Sequence, residues 1–283
     1  MKVREQVAIV TGAGRGLGRS LAVALAKEGA HVVVTARTRE EIEVTARLVQ
    51  TLGRRALALP ADVSDARQVA SMVQTAIQEF GTVHILINNA GIYGPIGPLH
   101  LLNDEEWWQT LKINLGGTVL CTRAILPYMM RQGAGKIINI SGGGATAPRP
   151  NFSAYATSKA AVVRFTETVA QEVRQHNIQV NAVAPGGLNT TLIDAILEAR
   201  ELAGADAVEE ARQLKAGIAT PMEAVADLVL FLASSDSNGL TGRLISARWD
   251  DWRSFKGRIS DIMASELYTL RRISPDAAGP KRR

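Results

Sequence analysis

Short apolar runs alternate with longer segments of helical period along nearly the whole chain, and no other feature restricts its fold so strongly. Residues 6–10, 31–35, 55–59, 83–87, 136–140, 178–183 and 243–246 read as strands, short and mostly rich in Val, Ile and Leu. Residues 17–27, 40–52, 66–80, 104–130, 154–176 and 224–233 read as helices. Gly29, Gly53 and Gly81 stop the first three, Pro60 closes the third strand and Pro185-Gly186 the sixth. Strands joined through helices need crossover connections, which are right-handed. They form a parallel sheet buried on both faces. The expectation is an α/β fold, a doubly wound parallel sheet in a three-layer αβα arrangement. It forms a single domain over residues 1–250, with a C-terminal extension at 251–283.

Two segments break the alternation. Residues 187–217 are a polar, Ala- and Glu-rich insertion between strand and helix. Ligands bind at the carboxyl ends of strands in such sheets, so this insertion is placed to close over a site as a lid. In residues 251–283, Ile259, Ile262, Met263, Leu267 and Leu270 have the spacing of one amphipathic helix.

Charge and cysteine content narrow the function. The net charge is +5, and residues 251–283 hold eight Lys/Arg against four Asp/Glu, ending Lys281-Arg282-Arg283. The body is therefore nearly neutral, and the expectation is a solvated basic tail with no nucleic-acid partner. Cys121 is the single cysteine, so no intrachain disulfide forms, which fits a reducing, cytoplasmic setting. His31, His84, His100 and His176 lack ligand spacing, so no metal is expected. No apolar run approaches the roughly 20 residues of a membrane span, and Val7–Val10 is too short for a signal-peptide core. No membrane partner is expected.

The first strand runs into Thr11-Gly12-Ala13-Gly14-Arg15-Gly16-Leu17-Gly18, and a helix follows. Glycines let the backbone turn sharply and approach a pyrophosphate, and the helix N-terminus offers free N–H groups to it. This strand–turn–helix setting is what a dinucleotide fingerprint requires.

The spacing of this loop resembles that of the short-chain dehydrogenase/reductase family, as do Asn88-Asn89-Ala90-Gly91, Asn114, Tyr155-x-x-x-Lys159 and Pro185-Gly186 followed by Thr190. The motifs run in the family's order from Gln6 to about Ser246. The chain is similar to the ordinary single-domain, NADP-preferring branch. The resemblance implies a Rossmann-like fold and a nicotinamide cofactor held by Gly12, Gly14, Arg15, Gly16, Leu17, Gly18, Arg37, Asp62, Val63, Asn89, Ala90, Gly91, Tyr155, Lys159, Pro185, Gly186 and Thr190. Ala36 stands where NAD-preferring members carry an acid, and Arg37 follows it. Guanidinium groups at Arg15 and Arg37 suit a 2′-phosphate, so NADP(H) is expected over NAD(H).

Tyr155 and Lys159 are four apart on one helix face. An ammonium beside a phenol, with the positive nicotinamide ring, lowers its pKa and makes it a general acid/base near neutrality. The resemblance gives Lys159 a second task on the nicotinamide ribose and makes Asn114 the support of a water relay. The family's carbonyl-binding serine aligns with Gly142, and Ser141 stands one place early. Three readings follow: Ser141 swings in on Gly142–Gly144, Thr146 or Ser153 supplies the hydroxyl, or the site lacks that donor. Ser141 is the expectation. Tyr93, Ile96, Leu99, Pro148, Pro150 and Phe152, with Arg149 the one charge among them, suit an uncharged or partly apolar carbonyl compound.

The expected activity is NADP(H)-linked interconversion of a ketone and a secondary alcohol by a homo-oligomer. A 3-oxoacyl-thioester or secondary-metabolite ketone reductase is one instance. The alternative is an NADP-binding sensor or assembly subunit with little turnover.

Overall fold

The computed structural model describes residues 1–273. Seven parallel strands lie in the order β3-β2-β1-β4-β5-β6-β7. They are β1 (Val7–Thr11), β2 (His31–Ala36), β3 (Ala56–Pro60), β4 (Ile85–Asn88), β5 (Gly135–Ile140), β6 (Ile178–Ala184) and β7 (Leu244–Ser246). Side chains alternate across each strand, so the continuous apolar runs supply two cores. Ala8, Val10, Val32 and Val34 face α1 (Gly16–Lys27), α2 (Arg39–Thr51) and α9 (Met222–Ala233). Val7, Ile9, Val33 and Leu86 face α3 (Ala66–Phe80), α5 (Gly117–Gln132) and α6 (Ser153–Glu172). The three-layer, doubly wound expectation holds. Among the described residues, no single helix is long and apolar enough to cross a membrane.

Strand order reverses at β1, which pairs with β2 on one side and β4 on the other. The chain leaves both strands at this switch point and opens a crevice beyond their carboxyl ends.

The long helix expected over 104–130 is interrupted. α4 (Asp104–Leu111) passes into a π-turn at Lys112–Gly116 before α5 begins. The extra residue of the π-turn carries Asn114, whose side chain leaves the helix for the Ile92 backbone: Oδ1 accepts from Ile92 N (2.8 Å) and Nδ2 donates to Ile92 O (2.9 Å).

The insertion at 187–217 folds as α7 (Thr191–Ala199) and α8 (Ala205–Gln213), with Gly204 at φ 87° and Gly217 at φ 107° bounding α8. Ile193, Ile196, Ala211 and Leu214 pack with Phe152 and Tyr155.

The single amphipathic helix expected in the extension is not formed. A 3-10 turn at Trp252–Gly257 precedes a one-turn α10 (Ile259–Met263), and a turn-rich segment follows. Buried Arg243 ends the helix by donating through Nη2 to Ile262 O and Ser265 O, both at 2.9 Å. Nor is this segment a solvated tail. Trp252, Phe255 and Ile262 join the core with α9, and Trp252 lies 5.9 Å from Phe231. Lys281-Arg282-Arg283 lies outside the described residues.

Candidate active site

A cavity of about 640 Å³ fills the crevice at the switch point and runs under α7 and α8. One end is the turn between β1 and α1. Gly12 and Gly16 have φ of 63° and 52°, which other residues rarely adopt. A Cβ at Gly12 would lie 2.8 Å from Ala90 Cα, and one at Gly18 would collide with the Gly12 carbonyl oxygen. A Cβ at Gly16 would meet only Thr190 Cγ2, at 3.7 Å, so the space over the turn is open. The N-terminus of α1 has no side-chain cap, leaving its N–H groups available. Asn89 braces the turn from below: Nδ2 donates to Thr11 O (2.9 Å) and Gly12 O (3.2 Å). Thr11 Oγ1 accepts from Asn89 N and Ala90 N.

Arg15, Leu17, Ala36, Arg37, Asp62, Val63, Ala90, Gly91, Pro185, Gly186 and Thr190 also line the cavity, so the structure brings together every residue expected at the cofactor. Arg37 forms no ion pair among the described residues, whereas Arg15 Nη1 lies 3.5 Å from Glu41 Oε1. Glu41 went unnoticed in the sequence, because only the packing of α2 on the glycine turn brings it there. Asp62 turns one oxygen back on its own loop, accepting from Ser64 N and Oγ at 2.8 and 2.7 Å. The open glycine turn and the uncapped helix fit the pyrophosphate of a dinucleotide.

The other end holds the α6 pair. Lys159 Nζ donates to Ile140 O (2.9 Å) and lies 5.7 Å from the Tyr155 ring centroid. Burial pushes the Lys159 ammonium down from 10.5 to about 8. The expected lowering of the Tyr155 phenol rests on Lys159 and the nicotinamide ring together, and the chain's own groups push this phenol the other way. Burial pushes it up, the Tyr93 phenol pushes the same way, and the Arg149 guanidinium opposes them. The ammonium is aimed at a backbone carbonyl, and the phenol is roofed by apolar residues of α7 and α8. Asn114 Nδ2 donates to Ser158 Oγ (2.9 Å), which ties the π-turn to the α6 turn carrying this pair.

Ser141 is buried and its hydroxyl donates to the Lys159 carbonyl at 3.2 Å. Ser153 Oγ accepts from Trp107 Nε1 at 3.0 Å, and Thr146 is exposed on the cavity wall. A Cβ at Gly142 would collide with the Tyr155 hydroxyl, so the phenol occupies the space next to this backbone position. Arg248 and Trp249 follow β7 into the cavity mouth.

A family model described as short chain dehydrogenase matches residues 6–201. The chain belongs to this family. The short-chain reductase protein NovJ of Streptomyces niveus is 42% identical over 248 residues, which are 86% of this chain and 92% of NovJ. The 2,3-dihydro-2,3-dihydroxybenzoate dehydrogenase of Bacillus subtilis (strain 168) is 34% identical over 84% of this chain and 93% of its own. The crystal structure of levodione reductase superposes with a TM-score of 0.81 at 30% identity, covering 90% of this chain and 99% of that one. The family places this chain among oxidoreductases that use a nicotinamide cofactor and act on small molecules at CH–OH groups.

Proposed function

We propose that this short-chain dehydrogenase/reductase interconverts a ketone and a secondary alcohol with NADP(H). The observation that carries the reading is the convergence of Tyr155 and Lys159 on one cavity with the open glycine turn. A bound nicotinamide dinucleotide supplies or accepts the hydride. Gly12, Gly14, Gly16, Leu17 and Gly18 would cradle its pyrophosphate. Asp62 and Val63 would border the adenine, and Asn89, Ala90, Gly91, Pro185, Gly186 and Thr190 the inner wall. Arg15 and Arg37 would hold the 2′-phosphate, with the unpaired Arg37 making the more available donor.

In reduction, Tyr155 donates its phenolic proton to the carbonyl oxygen as negative charge develops there. A phenol raised by burial stays protonated at neutral pH and so remains available as the acid. Lys159 holds its proton up to about pH 8 and would contact the ribose hydroxyls while favouring the phenolate that remains. Asn114 supports both by fixing Ile92 and Ser158. Ser141, the expected carbonyl donor, has its hydroxyl engaged by Lys159 O, which leaves the Thr146 hydroxyl on the cavity wall, or Tyr155 alone, to meet the carbonyl oxygen. The helices over 187–217 exclude water above Tyr155 and, with Gly204 before α8 and Gly217 in the turn after it, form the lid.

The relative named for a dihydroxylated ring carboxylate and the apolar lining of Tyr93, Ile193 and Leu214 support a compact substrate. Leu99, Leu101 and Trp108 are exposed apolar side chains of the kind a homo-oligomer would bury.

Fluorescence titration with NADPH and NADH, followed by a ketone panel with Tyr155→Phe alongside, tests the reading. NADPH is expected to bind more tightly, and turnover to fall about 10³-fold in the variant with NADPH binding unchanged. The engaged Ser141 hydroxyl favours one second reading, the sensor or assembly subunit with little turnover. Binding without turnover across the panel would select it.

A further inference from the structure

Arg149 belongs to no step of the reaction described above, yet it stands inside the same cavity. Its Nη1 would lie 3.0 Å from a Cβ at Gly143, one residue from the position the Tyr155 hydroxyl leans on. Its guanidinium carbon is 4.7 Å from the Phe152 ring centroid. Phe152 meets Tyr93 edge-on at 5.7 Å, and Tyr93 meets Tyr155 edge-on at 4.6 Å. The cavity wall thus holds a proton donor, the Tyr93 ring and a fixed positive charge, with Phe152 buried behind them.

That charge is only partly satisfied. Nη2 pairs with Glu210 Oε2 at 2.9 Å, while the buried Nε has no hydrogen-bond partner among the described residues. A guanidinium is a planar fork that matches a carboxylate through two parallel hydrogen bonds. Glu210 is a poor permanent partner. Its side chain is 47% exposed, and it rides on α8 between Gly204 and Gly217. Gly142 and Gly143 leave the approach to the guanidinium free of side chains from their own loop.

We infer that Arg149 is the anion anchor of the substrate subsite and Glu210 its exchangeable partner, so that the substrate is a compact, ring-sized ketone or alcohol bearing a carboxylate. The substrate carboxylate takes the place of Glu210 on the fork, its apolar body lies against Tyr93, and its oxygen function reaches Tyr155. This deepens the reductase reading and rests on it for the reaction, though not for the binding of the anion. It also revises the expectation of an uncharged substrate: the lining is apolar, but it ends in a cation.

Two paired measurements test it. Calorimetric titration of the protein, with and without NADP⁺, compares cyclohexanecarboxylate with cyclohexanecarboxamide. Kinetics compare 4-oxocyclohexanecarboxylate with its methyl ester. The carboxylate is expected to bind at least tenfold more tightly than the amide. Arg149→Met removes that preference, Arg149→Lys restores part of it, and Glu210→Gln enlarges it by removing the competing carboxylate. The acid-to-ester ratio of kcat/KM should follow the same order. Equal binding of carboxylate and amide, or a preference that survives Arg149→Met, overturns the assignment even if ketones are reduced. Carboxylate binding that depends on Arg149, with no ketone reduced, supports the anchor and overturns the reductase reading instead.

Discussion

Two glycine-rich stretches face each other across one cavity, and they are glycine for opposite reasons. At Gly12 and Gly18, the nearest excluding atoms are backbone, Ala90 Cα against Gly12 and the Gly12 carbonyl against Gly18, while the Glu41 side chain crowds Gly14. At 142–144, the excluding atoms are mostly side chains: the Tyr155 hydroxyl against Gly142, Arg149 Nη1 against Gly143 and Ala156 Cβ against Gly144. The first stretch brings main chain close to main chain and shapes a surface for phosphates. The second gives up its own side chains so that those of α6 and its preceding loop can enter the site. A backbone obstacle cannot move without unfolding something, while the end of a side chain can rotate.

That contrast is open to direct attack. Gly18→Ala should destabilise the protein by about 3 kcal/mol, since the added methyl overpacks against fixed backbone; denaturant unfolding measures it. Asn89→Ala should cost about 2 kcal/mol by leaving the Thr11 and Gly12 carbonyls unpaired, and should weaken NADPH binding in parallel. Ketone reduction should fall about tenfold for each pH unit above about 8, as Lys159 loses its proton. Stability should move the other way. Lys159 and Lys136 are both pushed down to about 8 by burial, so between pH 8 and 10.5 the unfolded chain binds more protons. Stability therefore rises with pH across that window, and thermal melts run beside the pH–rate profile separate lost chemistry from lost fold. Gly142→Ser should be the mildest change, about 1 kcal/mol, because the obstacle is the end of the Tyr155 side chain and not backbone. A cost matching that of Gly18→Ala would erase the distinction between the two stretches.

The strand–helix alternation was legible because its signals are local: β-branched runs, glycine stops and amphipathic period. The observed strands depart from the expected limits by only a residue or two, as at 83–87 against Ile85–Asn88. The glycine turn and the Tyr155–Lys159 pair were legible because each is a fixed spacing within one element. The π-turn at Asn114 was not, since one extra residue in a helix leaves the apolar pattern almost unchanged. The extension misled because its apolar residues have helical spacing, yet they serve a tertiary contact that Arg243 terminates after one turn. Glu41 beside Arg15 and Glu210 beside Arg149 join residues far apart in sequence, and only the packing of α2 and α8 brings them together. The upward push on Tyr155 likewise depends on burial under the lid, which neighbouring residues in sequence do not reveal.

The contact between the extension and β7 bears on how the sheet is protected as it forms. β7 is the last strand of the sheet, and Leu244 N donates to the Tyr268 carbonyl at 2.8 Å. An uncovered edge strand is a template for pairing with another chain, and this edge is covered by sequence made after it. During synthesis the catalytic motifs emerge first, while β7 keeps an exposed rim until residues 252–268 have followed and folded back. A chain cut soon after Ser246 would carry every residue of the Tyr155 site and still offer its neighbours an open border on which to aggregate.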